Sequence, residues 1–411
     1  MVMKKCFLLF FGSLLLLSSC DESEISMNQS YEEPVVLEFF TPKVETEEVF
    51  NQLIEKFEEQ HPDIEVRQVV VPGGMTVLKT RIARGDTPDL FITYPIEQDY
   101  LTRARKGYVM DLTDEPFLSR LEPAIQERYL VDGRMYGAAL TQNAVGVLYN
   151  KDHFKEAGLS TPDTWREWVE GMEQLKQKGY TPLLMPNKDV EQTSVFTLNL
   201  VADEFSASYW NKDKEDLAAD NRWRESSKKI LSVLSYSQPG SFEDGYYATN
   251  ERFAKGEGTM LVMGTWALPL IERINPDLNY GIFPFPADDS ASHNVLGGVD
   301  IGIAISSETP HPKEAKTFLS FLTEKEQASR LSSYEGSIST IKGVEVNRQE
   351  IEILHKKILS GQTVNWPNHY WDGGTEAEEE YRKLTLQFLI DQDINVYLND
   401  LEEMFQRYEA E

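Results

Sequence analysis

The stretch VVLEFFTPKVETEEVFNQLIEKFEEQHPDIEVRQVVV, residues 35–71, is the most informative part of the sequence for the class of fold. Its two ends, VVLEFF and IEVRQVVV, are rich in β-branched and aromatic residues, which favour strands. The segment between them places Val49, Leu53 and Phe57 on one face of a helix, which a His-Pro pair ends. The order strand, helix, strand is typical of a parallel sheet with helices packed on it.

The same alternation continues along the chain. A short helix over residues 77–84 and the strand PDLFIT follow, and later come the strand AVGVLYN over residues 144–150 and the helical segment TPDTWREWVEGMEQLKQKG. Thr164 and Glu167 open that helix with the spacing of a capping box. The sequence therefore predicts an α/β protein whose sheet is covered on both faces.

The N-terminal segment has the features of an export signal. In KKCFLLFFGSLLLLSSC, residues 4–20, Lys4 and Lys5 precede an apolar run over residues 6–17. This run is shorter than the roughly 20 apolar residues that a membrane-spanning helix needs. Residues 1–19 are therefore predicted to be a cleaved signal peptide.

The end of this signal, Leu17-Ser18-Ser19-Cys20, resembles the lipobox of bacterial lipoproteins. The resemblance implies that Cys20 is lipidated and anchors the mature chain to the outside of the cell membrane. The alternative is an ordinary cleavage site in a soluble secreted protein. Residues 20–34 are polar and acidic, and they predict a flexible tether between the lipid and the fold.

Composition excludes several classes of function. The formal net charge is −28, which becomes −28 − 2 = −30 once the two signal-peptide lysines are removed. A surface this acidic repels nucleic-acid phosphates and anionic lipid headgroups. Cys20 is the one cysteine left after cleavage, so the mature chain has no disulfide framework and no cysteine zinc site. The 411 residues, 41% of them hydrophobic, are enough for two or three domains.

Catalytic motifs are missing from the sequence. It has no G-x-S-x-G elbow, no Walker A loop, no G-x-G-x-x-G and no H-E-x-x-H, and its six histidines stand far apart. We therefore expect no catalytic residues, no metal site and no cofactor. Because carboxylates are so abundant, a glycosidase-like carboxylate pair stays open as an alternative.

Several segments, in their order along the chain, carry a family resemblance. They are DGRMYG, AVGVLYN, KDHFKEAGL, TPDTWREWVEGMEQLKQKG, RFAKGEGTMLVMGTW, NYGIF, LGGVDIGIAI and HPKEAKTFLSFLTEKEQ. Together, from about Val35 to about Leu331, they resemble the extracellular solute-binding proteins of bacterial ABC importers, in the branch that binds sugars. The stretch SSYEGSISTIKG, residues 332–343, departs from the proline-bearing segment usual at that place, which leaves the shape of that cleft wall open.

The resemblance implies a two-lobed periplasmic-binding-protein-like clamp of type II, which holds its ligand in a cleft between the lobes and closes by a hinge. Residues 35–141 and 300–343 would form the first lobe. Residues 142–299 and 344–411 would form the second lobe with its C-terminal helices. Glycines near the proposed crossings, Gly137, Gly146, Gly297 and Gly298, would allow hinge motion, although ordinary turn chemistry explains any single one equally well.

A sugar site needs flat aromatic faces and polar groups that match hydroxyls. Trp266 leaves an apolar strand at its carboxyl end, where open α/β sheets bind ligands, and the resemblance makes it the first candidate. The alternative is a core tryptophan that joins strand to helix. The resemblance also indicates Gly298 and Asp300 in the return crossing. Asn143 in the outward crossing suits hydroxyl recognition, or it satisfies a buried backbone group.

Other candidates follow strands of the first lobe or lie late in the chain. Thr41 and Lys43 follow the first strand and Tyr94 and Glu97 the third, so all four should lie at the carboxyl edge of the sheet. Trp371, in the aromatic stretch WPNHYWDGG, is the candidate that the resemblance places near the cleft from the C-terminal region.

The resulting hypothesis is a monomeric, lipid-anchored substrate-binding subunit that captures a sugar or oligosaccharide and delivers it to ABC permease subunits. Two alternatives stay open. One is a secreted glycoside-active enzyme, and the other is the same fold acting on a polyamine or peptide or as a sensor module.

Overall fold

The computed structural model describes residues 34–409 except 73, 96, 206, 211–215, 291–292 and 346–347. The signal peptide and the lipidation expected at Cys20 lie outside the described residues. So does the tether up to residue 33.

The first part of the chain alternates strands and helices as the sequence predicts. Its elements are β1 (Val35–Thr41), α1 (Glu47–Gln60), β2 (Ile64–Val70), α2 (Met75–Ala83), β3 (Leu90–Ile92), α3 (Gln98–Arg105), α4 (Pro123–Gln126), β4 (Leu130–Val131), β5 (Arg134–Met135) and β6 (Ala138–Asn150). Short 3-10 helices cover Val44–Thr46, Pro116–Arg120 and Glu127–Tyr129.

The middle of the chain is mainly helical. It contains α5 (Lys151–Ala157), α6 (Trp165–Gln177), β7 (Leu183–Leu184), α7 (Val190–Glu204), α8 (Ala207–Trp210), α9 (Asn221–Leu234), α10 (Tyr246–Ala254), β8 (Met260–Gly264), α11 (Leu268–Ile274), β9 (Tyr280–Phe283) and β10 (Val295–Ile305). The last part contains α12 (Pro312–Leu322), α13 (Lys325–Glu335), β11 (Ile338–Ser339), α14 (Glu352–Leu359), β12 (Thr363–Val364), α15 (Gly374–Asp391) and α16 (Ile394–Glu409). Further 3-10 helices cover Thr265–Ala267, Gln349–Ile351 and Pro367–Tyr370.

Local sequence explains these elements. The apolar face predicted for α1 is buried at Val49, Leu53 and Phe57. At the start of α6 the Thr164 side chain accepts a hydrogen bond from the Glu167 backbone N–H, which is the N-cap contact that the capping-box spacing predicts.

The sheet runs in the order β2-β1-β3-β10-β6-β8-β7, with β9 and β11 also paired to β6 and β12 paired to β10. β1 is parallel to β2 and β3, whereas β10 is antiparallel to β3 and β6. The parallel arrangement expected from the strand–helix–strand order is present in β1, β2 and β3, whereas the two long strands β6 and β10 pair antiparallel at the centre of the sheet.

β6 and β10 connect separate hydrophobic cores. One core uses buried residues from 37–140 and 299–341, and two adjoining cores use residues from 144–296 and 351–405. The chain passes between these cores inside β6 and again inside β10. The two strands pair from Gly297 opposite Ala144 to Ile303 opposite Ala138.

The pairing of β6 with β10 is irregular where the cores meet. Val299 lies opposite Gln142 and Ile301 opposite Thr141, so Asp300 is an extra residue in β10. A bulge of this kind redirects a side chain and increases local twist.

Among the helices of the described residues, none combines the length and the apolar composition that crossing a bilayer requires.

Candidate functional site

A cavity of about 300 Å³ lies where the cores meet. Its walls come from the segments after β1 and β3, from β6 and β10, from the turn after β8, and from α7 and α15. The segments after β1, β3 and β8 leave the carboxyl ends of their strands, which is where open α/β sheets bind ligands.

Most of the predicted binding residues meet in this cavity. Its lining includes Lys43, Tyr94, Glu97, Asn143, Trp266 and Asp300. Glycine 298 is not among the lining residues, but its backbone N–H donates to Asn143 Oδ1 at 3.1 Å. The structure therefore brings together residues that stand more than 200 positions apart in the sequence.

Two predicted site residues lie elsewhere. Thr41 is fully buried, and its hydroxyl accepts a hydrogen bond from the Lys43 backbone N–H at 3.1 Å, so it positions its neighbour. Trp371 is 1% exposed and packs against Tyr381 in the core, with ring centroids 4.9 Å apart. The placement of Trp371 in the cleft is wrong, because its indole faces the core formed with the C-terminal helices.

A buried lysine forms the polar floor of the cavity. The Lys43 ammonium lies 2.7 Å from Asp300 Oδ2 and 3.2 Å from Glu335 Oε1. The three side chains are almost fully buried, with relative exposures of 6%, 5% and 1% for Lys43, Asp300 and Glu335. Buried charges are stable only when they are paired and hydrogen-bonded.

Hydroxyl groups and an amide complete this network. Glu335 Oε2 accepts hydrogen bonds from the Thr141 and Ser337 hydroxyls, both at 3.0 Å. Asn143 Nδ2 donates to Asp300 Oδ1 at 3.3 Å. Asn143 therefore lines the cavity and also satisfies the buried Gly298 backbone N–H.

Two carboxylates share one ammonium in this network, and this affects their protonation. Burial, together with the nearby Asp300, raises the pKa of Glu335 to about 7, although Lys43 and the two hydroxyls oppose this. Burial opposes the charge of Lys43, but Asp300, Glu335 and Glu45 outweigh it and raise the lysine pKa. Lys43 is therefore charged at neutral pH, and Glu335 is close to its midpoint.

Two tryptophans provide aromatic surface. Trp266 and Trp366 are both half-buried cavity residues, with ring centroids 6.1 Å apart and planes inclined by 42°. Trp266 also packs against the second and third cores, so the core interpretation of this residue is partly right as well. Gly264 allows the indole to fold back, since a Cβ there would lie 1.9 Å from Trp266 Cζ3.

Part of the cavity wall is acidic and comes from α15 and α7. Glu378, Glu379, Arg382 and Glu191 line it, and Arg382 pairs with Glu378. These carboxylates could not be recognised from the sequence as cavity residues, because an acidic run at the start of a helix is also explained by the helix dipole.

Glu97 and His369 lie side by side in the cavity, with 3.9 Å between His369 Nε2 and Glu97 Oε1. Burial raises the pKa of Glu97 to about 8, and Glu378 adds to the rise while Arg103 opposes it. Burial, helped by Arg128, lowers the pKa of His369 to about 3. Both groups are therefore mainly neutral at pH 7 and present hydrogen-bonding atoms rather than charges.

Polar contacts join the two sides of the cavity at its rim. The Thr76 hydroxyl on α2 donates to Glu379 Oε1 on α15 at 2.9 Å. Asp99 on α3 accepts a hydrogen bond from the Thr375 backbone N–H at 3.3 Å. These contacts hold α15 against the helices of the first core.

Chemically, the cavity offers aromatic faces and many neutral or paired hydrogen-bonding groups. Across the described ranges, no three His, Cys, Asp or Glu side chains are arranged to hold a metal ion. Aromatic faces beside fixed donors and acceptors suit a ligand that has apolar ring faces and many hydroxyls.

The fold and the cavity together define a two-lobed binding protein. The sequence profile of the bacterial extracellular solute-binding proteins matches residues 43–329, more than half of the chain. The chain belongs to this family. The family and the relatives described next are binding proteins.

Similar proteins cover almost the whole chain. The multiple sugar-binding protein of Streptococcus mutans is 28% identical, over 97% of this chain and 96% of that protein. The raffinose complex of the solute-binding protein RafE has a TM-score of 0.85 at 27% identity, covering 91% of this chain and 100% of that one. The apo form of RafE from Streptococcus pneumoniae has a TM-score of 0.77, also at 27% identity, covering 93% of this chain and 100% of that one. The predicted α/β two-lobed clamp is confirmed.

We predict that Glu335→Gln changes the pH dependence of stability. In the folded protein the pKa of Glu335 is raised to about 7, whereas an unperturbed glutamate has a pKa of 4.5. The folded state therefore holds the extra proton between these values, and the contribution of Glu335 to the free energy of unfolding decreases as the pH rises through this window. The glutamine variant should gain stability relative to the native protein from pH 4.5 to pH 7.

Denaturant unfolding at several pH values measures this difference, with Glu59→Gln on the exposed face of α1 as a control for the loss of one carboxylate. A stability difference for Glu335→Gln that is constant across the window, or that moves the other way, would contradict the assignment.

Proposed function

We propose that this protein is the substrate-binding subunit of an ABC importer and that it captures a sugar or oligosaccharide in the cavity around Trp266. The observation that carries the proposal is the presence of two half-buried tryptophans and a set of paired polar groups in the lining of one cavity. The comparisons support the same conclusion, because relatives across nearly the full chain are named as sugar-binding proteins.

Sugar chemistry fits this arrangement. Pyranose rings have C–H faces that pack on aromatic rings, and their hydroxyls both donate and accept hydrogen bonds. Trp266 and Trp366 supply the faces. Asn143, Glu97 and His369 supply side chains that are neutral at pH 7, so they bind hydroxyls without selecting a charged ligand.

We propose the lobe boundaries of the sequence analysis, with residues 35–141 and 300–343 in the first lobe and the rest of the fold in the second. The division of the hydrophobic cores at β6 and β10 supports them. A ligand that contacts both lobes binds the closed form more tightly, and this difference in affinity favours closure. The higher TM-score with raffinose-bound RafE than with apo RafE agrees with a closed cleft.

The remaining parts of the proposal come from the sequence. Cys20 would carry the lipid that anchors the chain outside the cytoplasmic membrane, and the closed, ligand-bound monomer would dock on membrane permease subunits. Seven of the nine sequence-predicted residues keep their place in the proposed binding site. Trp366 replaces Trp371 as the aromatic residue from the C-terminal region, and Thr41 positions Lys43 without lining the cavity.

One observation favours a second ligand class. Glu45, Glu191, Glu378 and Glu379 add negative charge to the cavity, and a linear polyamine would be attracted to it. The same carboxylates could include the pair that the glycoside-active enzyme alternative needs. That alternative requires the protein to convert the bound sugar and not only to bind it.

A thermal-denaturation panel tests the function. We expect at least one of melibiose, raffinose, stachyose and maltotriose to raise the melting temperature, because a ligand specific for the folded state stabilises it by mass action. Putrescine and spermidine form the second arm. Stabilisation by polyamines alone, or by no member of a broad glycan panel, would contradict the carbohydrate proposal. Slow hydrolysis of a stabilising sugar by the pure protein would favour the enzyme alternative.

We predict that Trp266→Ala mainly weakens binding and that Trp371→Ala mainly weakens the fold. Loss of an aromatic contact at the ligand should cost about 2 kcal/mol or more of binding free energy. Truncation of the fully buried Trp371 should cost about 3–5 kcal/mol of folding stability through the cavity that it leaves.

Each variant is measured twice, by melting of the ligand-free protein and by titration with the sugar that gives the largest shift in the panel. A folded Trp266→Ala variant with native affinity would remove Trp266 from the binding site.

A further inference from the structure

We propose that the binding site continues beyond Trp266 into an outer cleft that ends at Tyr247, and that the ligand is an oligosaccharide long enough to occupy both parts. This inference rests on the proposed function and specifies its ligand. We define the outer cleft as the space lined by Val44, Glu45, Asp189, Tyr246 and Tyr247.

The outer cleft adjoins the first cavity. A second cavity of about 480 Å³ shares Pro42, Glu45, Glu191, Gln192 and Trp266 with the first. A third cavity, of about 370 Å³, shares Val44, Glu45, Tyr246 and Tyr247 with the second. A chain-like ligand in the first cavity that extends past Trp266 therefore reaches the edge of the second cavity.

Volume supports a ligand that extends past the first cavity. Sites for drug-sized molecules usually measure ~300–1,000 Å³. The first cavity, at about 300 Å³, is at the lower end of this range, and most of the open space lies on the far side of Trp266. A short sugar fits the first cavity, whereas further units of a longer chain need the outer cleft.

Tyr247 is the aromatic surface of the outer cleft. Its side chain is 63% exposed, the largest exposure among the exposed large hydrophobic residues of the described chain. Because Tyr247 lines both the second and the third cavity, this exposed ring is accessible to a ligand there. A ring face placed beyond Trp266 is suited to stack on a second or third sugar unit.

The backbone holds this surface in place. The Tyr246 N–H at the start of α10 donates to Asp189 Oδ2 at 2.6 Å, next to the start of α7. Gly245 permits the approach, since a Cβ there would lie 2.5 Å from the same carboxylate oxygen. The Tyr246 and Tyr247 rings also pack edge to face, with centroids 5.4 Å apart. Tyr247 is therefore presented by a fixed helix start, and ordering it costs a ligand little.

The outer cleft also offers polar side chains. Lys188, Glu191 and Gln192 lie along the second cavity, and Asn51 and Arg273 lie along the third. These groups are close to solvent, where hydrogen bonds to sugar hydroxyls contribute orientation more than affinity. The aromatic contact at Tyr247 is therefore the part of the outer cleft that a substitution should reveal.

The test uses two series of sugars that differ in length. Melibiose, raffinose and stachyose form one series, and maltose, maltotriose and maltotetraose form the other. Calorimetric titrations compare the native full chain with Tyr247→Ala. We expect the native affinity to rise with chain length, and we expect the variant to bind the tetrasaccharide about fivefold to tenfold more weakly while the disaccharide changes less than about twofold.

Two matched variants separate stacking from other effects. Tyr247→Phe keeps the ring and should retain the native length dependence. Tyr108→Ala removes another exposed tyrosine, which is 36% exposed and lies outside the three cavities. This variant should bind the disaccharide and the tetrasaccharide with native affinity.

The outcomes distinguish this inference from the proposed function. The outer-cleft proposal alone would be overturned if Tyr247→Ala lost the same affinity for the disaccharide and the tetrasaccharide, or lost affinity for neither. It would also be overturned if the affinity of the native protein did not depend on the length of the sugar. If no sugar of either series binds the native protein, the proposed function fails and this inference fails with it.

Discussion

The antiparallel pairing of β6 with β10 is the constraint on which the site depends. These two strands carry the chain between the cores, and the extra residue Asp300 in β10 lies where the pairing is irregular. Asp300 meets Lys43 from the end of β1 and, through it, Glu335 from the end of α13. A shift of one residue in the register would turn Asp300 away and leave a buried ammonium and carboxylate without partners, at a cost of several kcal/mol.

The two sides of the cavity are joined much more weakly than each side is held together. Across the rim the contacts are polar and partly exposed, such as Thr76 with Glu379 and Lys79 with Glu376 at 2.9 Å. Exposed pairs of this kind contribute about 0–1 kcal/mol each. The apolar cores, in contrast, end within the crossing strands. Opening therefore breaks few strong contacts, and the binding free energy of a ligand is large enough to determine the position of the equilibrium.

Local sequence signals predicted the parts of the site that follow strands. Lys43, Tyr94, Glu97 and Trp266 come directly after strands, and strand ends can be recognised from β-branched and aromatic runs. The choice between Trp366 and Trp371 could not be made in this way, because both lie in one turn-rich segment and only the packing of Trp371 against Tyr381 of α15 and Phe405 of α16 fixes which indole is buried. Glu335 was missed for a similar reason, since its partners are nearly 200 and 300 positions away. The one available signal was that residues 332–343 depart from the family pattern.

A crystal structure of the full chain with the sugar that stabilises it most would show whether the cavity between the cores is the sugar-binding site. We expect a pyranose ring against Trp266 or Trp366, hydroxyls within hydrogen-bond distance of Asn143 or Glu97, and Lys43 still paired with Asp300. A sugar bound outside this cavity, or one inside it that contacts neither tryptophan, would contradict the proposed site.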